Sequence, residues 1–347
     1  STASSHTRTA GSNLTWVLLG AGLLQDGEET WVVAGMALHQ AAGRGDVAEL
    51  RRLVAAGVNV NVLDVNGSTA LLWATLYGRS EMIRVLVQLG ANTEAKCATG
   101  STPLQWATQH GHVEAIKVLV ELGVNKEAKN VAGQTALHGA AGHGNVEVTK
   151  VLVQLGANKE ATTVSGATPL HLATQHGHVA VMRVLVELGA NKEAKGAAGG
   201  TPLHQAAVNG LVDAIKGLMQ LGANKEAKCA AGGTPLHWAT QHGHVEAMRL
   251  LLQMGVNKEA ENDIGATPLH CAAEKGQVEA IKALVLLGAN KEAKCASGAT
   301  ALYFAAQNGH LEAIKALVQL SANKEATNAG GATPLHQAAG MGHVEAI

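Results

Sequence analysis

Thr69, Thr102, Thr135, Thr168, Thr201, Thr234, Thr267, Thr300 and Thr333 follow one another every 33 residues without a slip. Each stands two residues after a glycine, from Gly67 to Gly331. A single globular core imposes no fixed period on its chain. A stack of like units does, because each unit has to offer its neighbour the same surface. The period therefore overrides length: 347 residues would otherwise allow two or three domains. Residues 36–347 read instead as one elongated array of about ten repeats, the last truncated, with a non-repeat segment over 1–35.

Composition agrees. Aromatic residues are 2% of the chain, whereas a packed globule uses more of them as large anchors. A stack can build a narrow core from Ala, Leu, Val and Ile. The net charge of −1 supplies no field to draw phosphate backbones or acidic membranes, and no basic stripe points to nucleic acid. No apolar run reaches the roughly 18–20 residues that span a bilayer. The longest near-continuous one, Leu14 to Leu24, follows Arg8. A signal peptide there would need a richer basic start and a small-x-small cleavage site after Leu24, and has neither. Ser1 to Asn13 is small and polar, the composition of disorder, and Leu14 to Val33 is apolar enough to cover the exposed end of a stack. The chain starts at Ser1 and stops at Ile347, partway through a repeat, which fits an excerpt of a longer array.

Cys97, Cys229 and Cys295 each stand five residues before a repeat threonine. Stacked helices lie about 8–10 Å apart, and a disulfide needs Cα atoms within about 7 Å. Cysteines two or more repeats apart are therefore not expected to pair. Cys271 falls in a first helix as a small apolar residue. This usage suits a reducing, intracellular and cytoplasmic setting.

Residues 97–129 show one repeat in full. Gly100 marks a turn. Thr102 and Pro103 open a helix, since Thr can cap and Pro needs no N–H at the first helical position. Leu104, Ala107 and Thr108 form one inward stripe, and Gly111 ends the helix. A second helix is predicted from Val113 to Leu122, with Val113, Ile116, Leu119 and Val120 inward and Glu114, Lys117 and Glu121 in solvent. Gly123 ends it. Neither helix is long enough to be stable alone, so stacking has to complete the core.

This pattern resembles the ankyrin repeat, whose unit carries G-x-T-P-L-H-x-A-A near its start and G-A-(D/N) near its end. Here Gly166-Ala-Thr-Pro-Leu-His-Leu-Ala follows Gly156-Ala-Asn, and Gly265-Ala-Thr-Pro-Leu-His-Cys-Ala-Ala precedes Gly288-Ala-Asn. The first copy is degenerate, Met36-Ala37-Leu38-His39. The resemblance implies an all-α, helix-turn-helix solenoid with β-hairpin or turn loops between repeats, acting as a protein-protein interaction scaffold. It implies that His39, His138, His171, His204, His237, His270 and His336 are structural, tying turns together, and that His112, His178, His244, His310 and His343 are scaffold too. Two departures stand out. Where the family commonly has Asp five residues before the Thr, this chain has Asp64, Cys97, Asn130, Thr163, Gly196, Cys229, Asn262, Cys295 and Asn328. A ladder of Lys-Glu pairs, such as Lys126-Glu127 and Lys159-Glu160, is read as a solvated, self-neutralising edge, with a docking strip as the alternative.

In the family, the end of the first helix lines the concave surface. The columns four, seven and eight residues after each threonine collect the large, distinctive side chains of this chain. Trp73, Tyr77, Trp106, Gln109, His110, His143, Gln175, His176, Trp238, Gln241 and His242 are the candidate partner-binding residues. Trp is a favoured hot spot, but it can equally pack between repeats, and half-burial would satisfy both. The segment from Trp106 to Ala115 recurs unchanged at 238–247, so duplication alone could have copied its Trp and His. Zinc ligands must sit about 2 Å from one ion, and His110, His143 and His176 on successive repeats converge poorly, so no metal site and no cofactor is expected. There is no G-x-x-x-x-G-K-S/T, G-x-S-x-G or H-E-x-x-H, so no enzyme is expected. The expected function is a monomeric, non-catalytic scaffold binding a protein partner, without nucleic acid or membrane insertion. The alternative is a regulatory or targeting segment of a larger enzyme, channel or effector.

Overall fold

A computed structural model describes residues 26–196 and 198–346, with side chains from residue 33 onward. The expectations for Ser1 to Asn13, and for Leu14 up to residue 25, lie outside the described residues. Among those residues the chain is all-α, with nineteen α-helices and no strand. A helix over Asp26–Arg44 comes first, so helical structure begins ahead of residue 36, where the repeat period starts.

Each full repeat gives a seven-residue helix and a nine-residue helix, as in Pro103–Gln109 and Val113–Glu121. The short helix starts where the sequence says. Thr102 is extended (φ −84°, ψ 167°) and its side chain accepts from the Gln105 N–H, while the Gln105 side chain accepts from the Thr102 N–H at 2.9 Å. All six prolines of the chain, Pro103, Pro169, Pro202, Pro235, Pro268 and Pro334, open such helices. The second helix buries Ala115, Ile116, Val118 and Leu119 and leaves the Glu114–Lys117 pair in solvent at 2.7 Å, where it contributes little.

The described residues form two compact units, one within 26–140 with 145–164, the other within 141–144 with 165–346. Within each unit, first helices pack on first helices and second helices on second helices of the adjoining repeat. The core is made of small and aliphatic residues: Leu104, Ala107, Ile116 and Leu119 in one unit, Leu236, Ala239, Met248 and Leu251 in the other. Connections are tight turns. The Gly100 N–H donates to the Cys97 carbonyl at 2.8 Å and the Cys97 N–H to the Ser101 carbonyl at 3.1 Å. Neighbouring turns are joined by single backbone bonds, such as Ala296 N–H to Ile264 O at 3.0 Å.

Second helices end at a left-handed residue, almost always glycine; Gly288 has φ 81°. Ser321 takes that place at φ 62°, the one positive-φ non-glycine among the described residues. A left-handed L-residue costs roughly 1–2 kcal/mol, partly offset by the greater unfolded-state freedom of glycine. Ser321→Gly is therefore expected to stabilise the protein by about 1 kcal/mol, read as a higher urea midpoint. A lower midpoint would show that the serine side chain has a compensating bond.

Candidate interaction face and its scaffold

The histidine of T-P-L-H is fixed at both nitrogens. In the repeat of Thr234, the backbone N–H of Thr234 donates to His237 Nδ1 at 3.1 Å, and His237 Nε2 lies 3.0 Å from the Ala266 carbonyl of the next turn. The first contact makes Nδ1 an acceptor, so Nε2 carries the proton. His204 and His270 repeat this with the carbonyls of Gly233 and Ala299, at 3.0 and 3.1 Å. Burial pushes the His237 imidazole down to about 4, although the Ala266 carbonyl opposes the shift. His204 and His270 are lowered too, burial again being the main cause. Gln105 occupies the same place without an imidazole: its amide donates to the Gln134 carbonyl at 2.7 Å.

The histidine after the inter-helix glycine is also scaffold. His112 Nε2 donates to the Leu76 carbonyl at 2.9 Å, and His244 Nε2 to that of Val208 at 2.7 Å. Both close the end of the preceding first helix, whose last carbonyls have no partner within the helix.

The Lys-Glu ladder departs from the self-neutralising reading. Lys225, Lys258, Glu226 and Glu259 bind backbone rather than each other. Lys258 Nζ donates to the Leu287 carbonyl at 2.9 Å, and Lys225 Nζ to Met254 and Gly255 carbonyls at 2.9 and 2.8 Å. Each lysine thus caps the second helix of the following repeat, where a cation also meets the negative end of the helix dipole. Glu226 Oε1 accepts the Asn257 N–H at 2.7 Å, and Glu259 Oε1 that of Asn290 at 2.8 Å. The signal is the fixed register: lysine 29 residues before the Leu-Gly or Met-Gly helix end, glutamate 31 before the next Asn.

The position that is commonly Asp braces its own turn. Asp64 Oδ1 accepts the N–H groups of Asn66 and Ser68, both at 2.8 Å, and Oδ2 accepts Trp73 Nε1–H at 2.8 Å. Asn130 Oδ1 accepts Ala132 and Gln134 N–H, both at 3.0 Å. Cys97 lies 3.0 Å from Thr99 Oγ1 and takes Trp106 Nε1–H at 3.3 Å. Burial opposes its thiolate, but these bonds outweigh burial and hold the thiol below its usual value. Cys271, in an apolar first helix, is raised by burial to about 12.

Against this scaffold the candidate residues stand out by exposure. In the first unit Trp73 and Trp106 are half-buried, while Tyr77, Gln109 and His110 are exposed. The His110 ring stacks on Trp106 at 5.8 Å and its Nδ1 donates to the Trp106 carbonyl at 2.9 Å. In the second unit His143, Gln175, His176 and His242 are exposed, and Trp238 and Gln241 half-buried. His242 stacks nearly parallel on Trp238 at 6.1 Å. The exit of a first helix therefore presents a rigid indole–imidazole platform, its Nδ1 tied back to the helix.

A family model described as ankyrin repeats matches residues 38–130, 90–163, 122–196, 162–229, 203–295 and 286–347. The chain belongs to the ankyrin repeat family. Its ankyrin repeats resemble the crystal structure of the human ASB11 ankyrin repeat domain at 30% identity and TM-score 0.53, over 62% of this chain and 96% of that one. They also resemble the ankyrin repeat domain of Bcl-3, a member of the IkappaB protein family, at 29% identity and TM-score 0.54, over 58% and 92%. No curated protein matches significantly. Among the described residues no helix is long and apolar enough to cross a membrane, and no cluster of three or more His, Cys, Asp or Glu could hold a metal ion.

Proposed function

We propose that this ankyrin array is a non-catalytic, intracellular interaction module that binds a protein partner through the exits of its first helices. The observation that supports this most is the sorting of side chains. The buried histidines His39, His171, His204, His237 and His270 are held in turn-to-turn bonds, whereas Tyr77, His110, His176 and His242 are exposed at the helix exits. Aromatic side chains that are already stacked lose little freedom on binding, which is what a hot spot needs. An interface of ordinary size would cover about 800 Å² per partner. Four free cysteines, all buried, suit a reducing compartment.

The test is Trp106→Ala with His110→Ala. Partner captured from a source lysate by the wild-type chain is expected to be lost with the double variant, with affinity weakened by about 2 kcal/mol or more. Unchanged affinity in a variant that keeps its helical circular dichroism would reject this face.

A further inference from the structure

In the second unit an open cleft of about 400 Å³ lies where the second helices Val245–Gln253 and Val278–Leu286 end. Its walls include Arg249, Leu252, Gln253, Val256, Lys258 and Leu287. Next to Leu287 the chain departs from its own pattern. The last position of the second helix is Gln or Glu in every other copy from Gln88 to Gln319, and here it is Leu286. Leu286 is 76% exposed, and Leu287 is 43% exposed. A single leucine at a surface is ordinary. Two in succession beside a cleft form an apolar patch that a partner can cover.

The same departure leaves a cation without its acid. In the first unit Arg84 Nη2 reaches Glu121 Oε2 of the next repeat at 2.7 Å. Arg249 holds the place of Arg84 in its own repeat, and at the same spacing from it stands Leu286. Arg249 is exposed and makes no ion pair among the described residues. Glu246, three residues before it, does not hold it as Glu114 holds Lys117 at 2.7 Å. Glu279, on the helix of the next repeat, is taken by Lys282 at 2.9 Å. Lys258 Nζ is held by the Leu287 carbonyl at 2.9 Å, and among the described residues no carboxylate lines the cleft. A guanidinium beside aliphatic walls suits a planar, two-pronged pair with a carboxylate. Such a pair strengthens as apolar groups exclude water from it.

We propose that this cleft docks a short segment of a protein partner in which a large aliphatic side chain stands beside a carboxylate. The aliphatic group covers Leu252, Leu286 and Leu287, and the carboxylate supplies to Arg249 what Glu121 supplies to Arg84. Charge selects the occupant. Arg249 and Lys258 set a positive field with no acid in the lining, so a basic segment is repelled and a neutral one leaves the guanidinium unpaired. An open cleft of this volume takes one or two side chains rather than a whole cofactor. Another repeat supplies an internal control: Arg183 is the same cation, but Gln220 stands where Leu286 would. The surface belongs to second helices and does not depend on the first-helix exits.

The experiment selects short random peptides, displayed on phage, on the full chain after depletion on a chain carrying Arg249→Glu and Leu286→Gln. Enriched peptides are then titrated by calorimetry. Leu286→Gln copies Gln253 and Gln319, and both substituted positions are exposed, so helical circular dichroism and the urea midpoint should stay as in wild type. The enriched peptides are expected to carry Asp or Glu beside Leu or Ile, and to bind each single variant about tenfold or more weakly. Arg249→Glu is expected to regain binding to a peptide whose acid is replaced by lysine, a rescue that a merely structural arginine would not give. Trp106→Ala with His110→Ala should bind these peptides as tightly as wild type, so failure of either proposal leaves the other standing. No enriched peptide, enriched sequences without an acid, or equal affinity for wild type and variants would each overturn the proposal. So would binding to phosphatidylserine vesicles in place of the peptides, or a dimer in sedimentation that Leu286→Gln dissolves, since a membrane or a second copy would then be the occupant.

Discussion

Acidification from pH 6.5 towards about 4 is expected to destabilise the unit of residues 141–144 and 165–346, with His237 alone accounting for about 3 kcal/mol at the low end. The cause is geometric as well as dielectric. His237 Nδ1 faces the Thr234 N–H at 3.1 Å, so a proton on Nδ1 would put two donors against each other. In the unfolded chain the imidazole is an ordinary one and takes up its proton near 6.5. Between that value and about 4 the unfolded chain holds more protons than the folded one, and stability falls as pH falls. Above 6.5 both states are neutral and the contribution is complete. His204 and His270 shift in the same direction. Lys228 and His204 face His237 and add to its shift, whereas Glu259 and Glu261 temper that of His270.

His237→Gln isolates the effect, because Gln105 already shows an amide doing both jobs in this fold: Oε1 accepts the Thr102 N–H at 2.9 Å while Nε2 donates to the next turn. Urea unfolding at about pH 7 should cost the variant about 1 kcal/mol or less. At about pH 4.5 the variant should be the more stable of the two. Carboxylate titration affects both proteins alike, so the difference between them is the informative quantity. A difference that stays constant with pH would sink the argument.

Most of the scaffold was legible from spacing. The threonine beat located the capped first helices, and the position of Gly123 and its equivalents located the ends of the second. The i,i+3 pair Glu114–Lys117 forms as its spacing indicates. Two things were not legible. A charge pattern describes side chains and marks the Lys-Glu ladder as solvated, whereas Lys258 and Glu259 reach backbone groups about 30 residues ahead, on a turn that only the fold brings near. The tryptophans could not be placed as packed or exposed, because that depends on the neighbouring repeat. Trp73 and Trp106 turn out half-buried, with their N–H groups anchored in the turn before the helix. The departures from Asp in that turn read as exceptions in sequence. In the fold Asp64, Asn130 and Cys97 are three ways of receiving the same turn's donors.

Gly265→Ala should destabilise the second unit by about 3 kcal/mol, whereas Gly222→Ala should cost about 1 kcal/mol. Both glycines are left-handed, at φ 70° and 75°, so both variants carry the penalty of a left-handed L-residue. Only one has a neighbour in the way. A Cβ on Gly265 would lie 2.8 Å from the backbone nitrogen of Ala296, and backbone cannot step aside as a side chain can. A Cβ on Gly222 would meet nothing closer than Lys192 Cε at 3.9 Å. Relief at Gly265 requires the two turns to part, which breaks the bond from Ala296 N–H to Ile264 O and draws His270 away from the Ala299 carbonyl. In a stack each repeat is stable only through its neighbours, so the loss should spread along the unit rather than stay in one turn. Chemical denaturation of the two single variants measures the comparison directly. Equal losses would mean that the turns are free to separate, and that the first-helix exits they position, including Trp238 and His242, are not held in register by the turns.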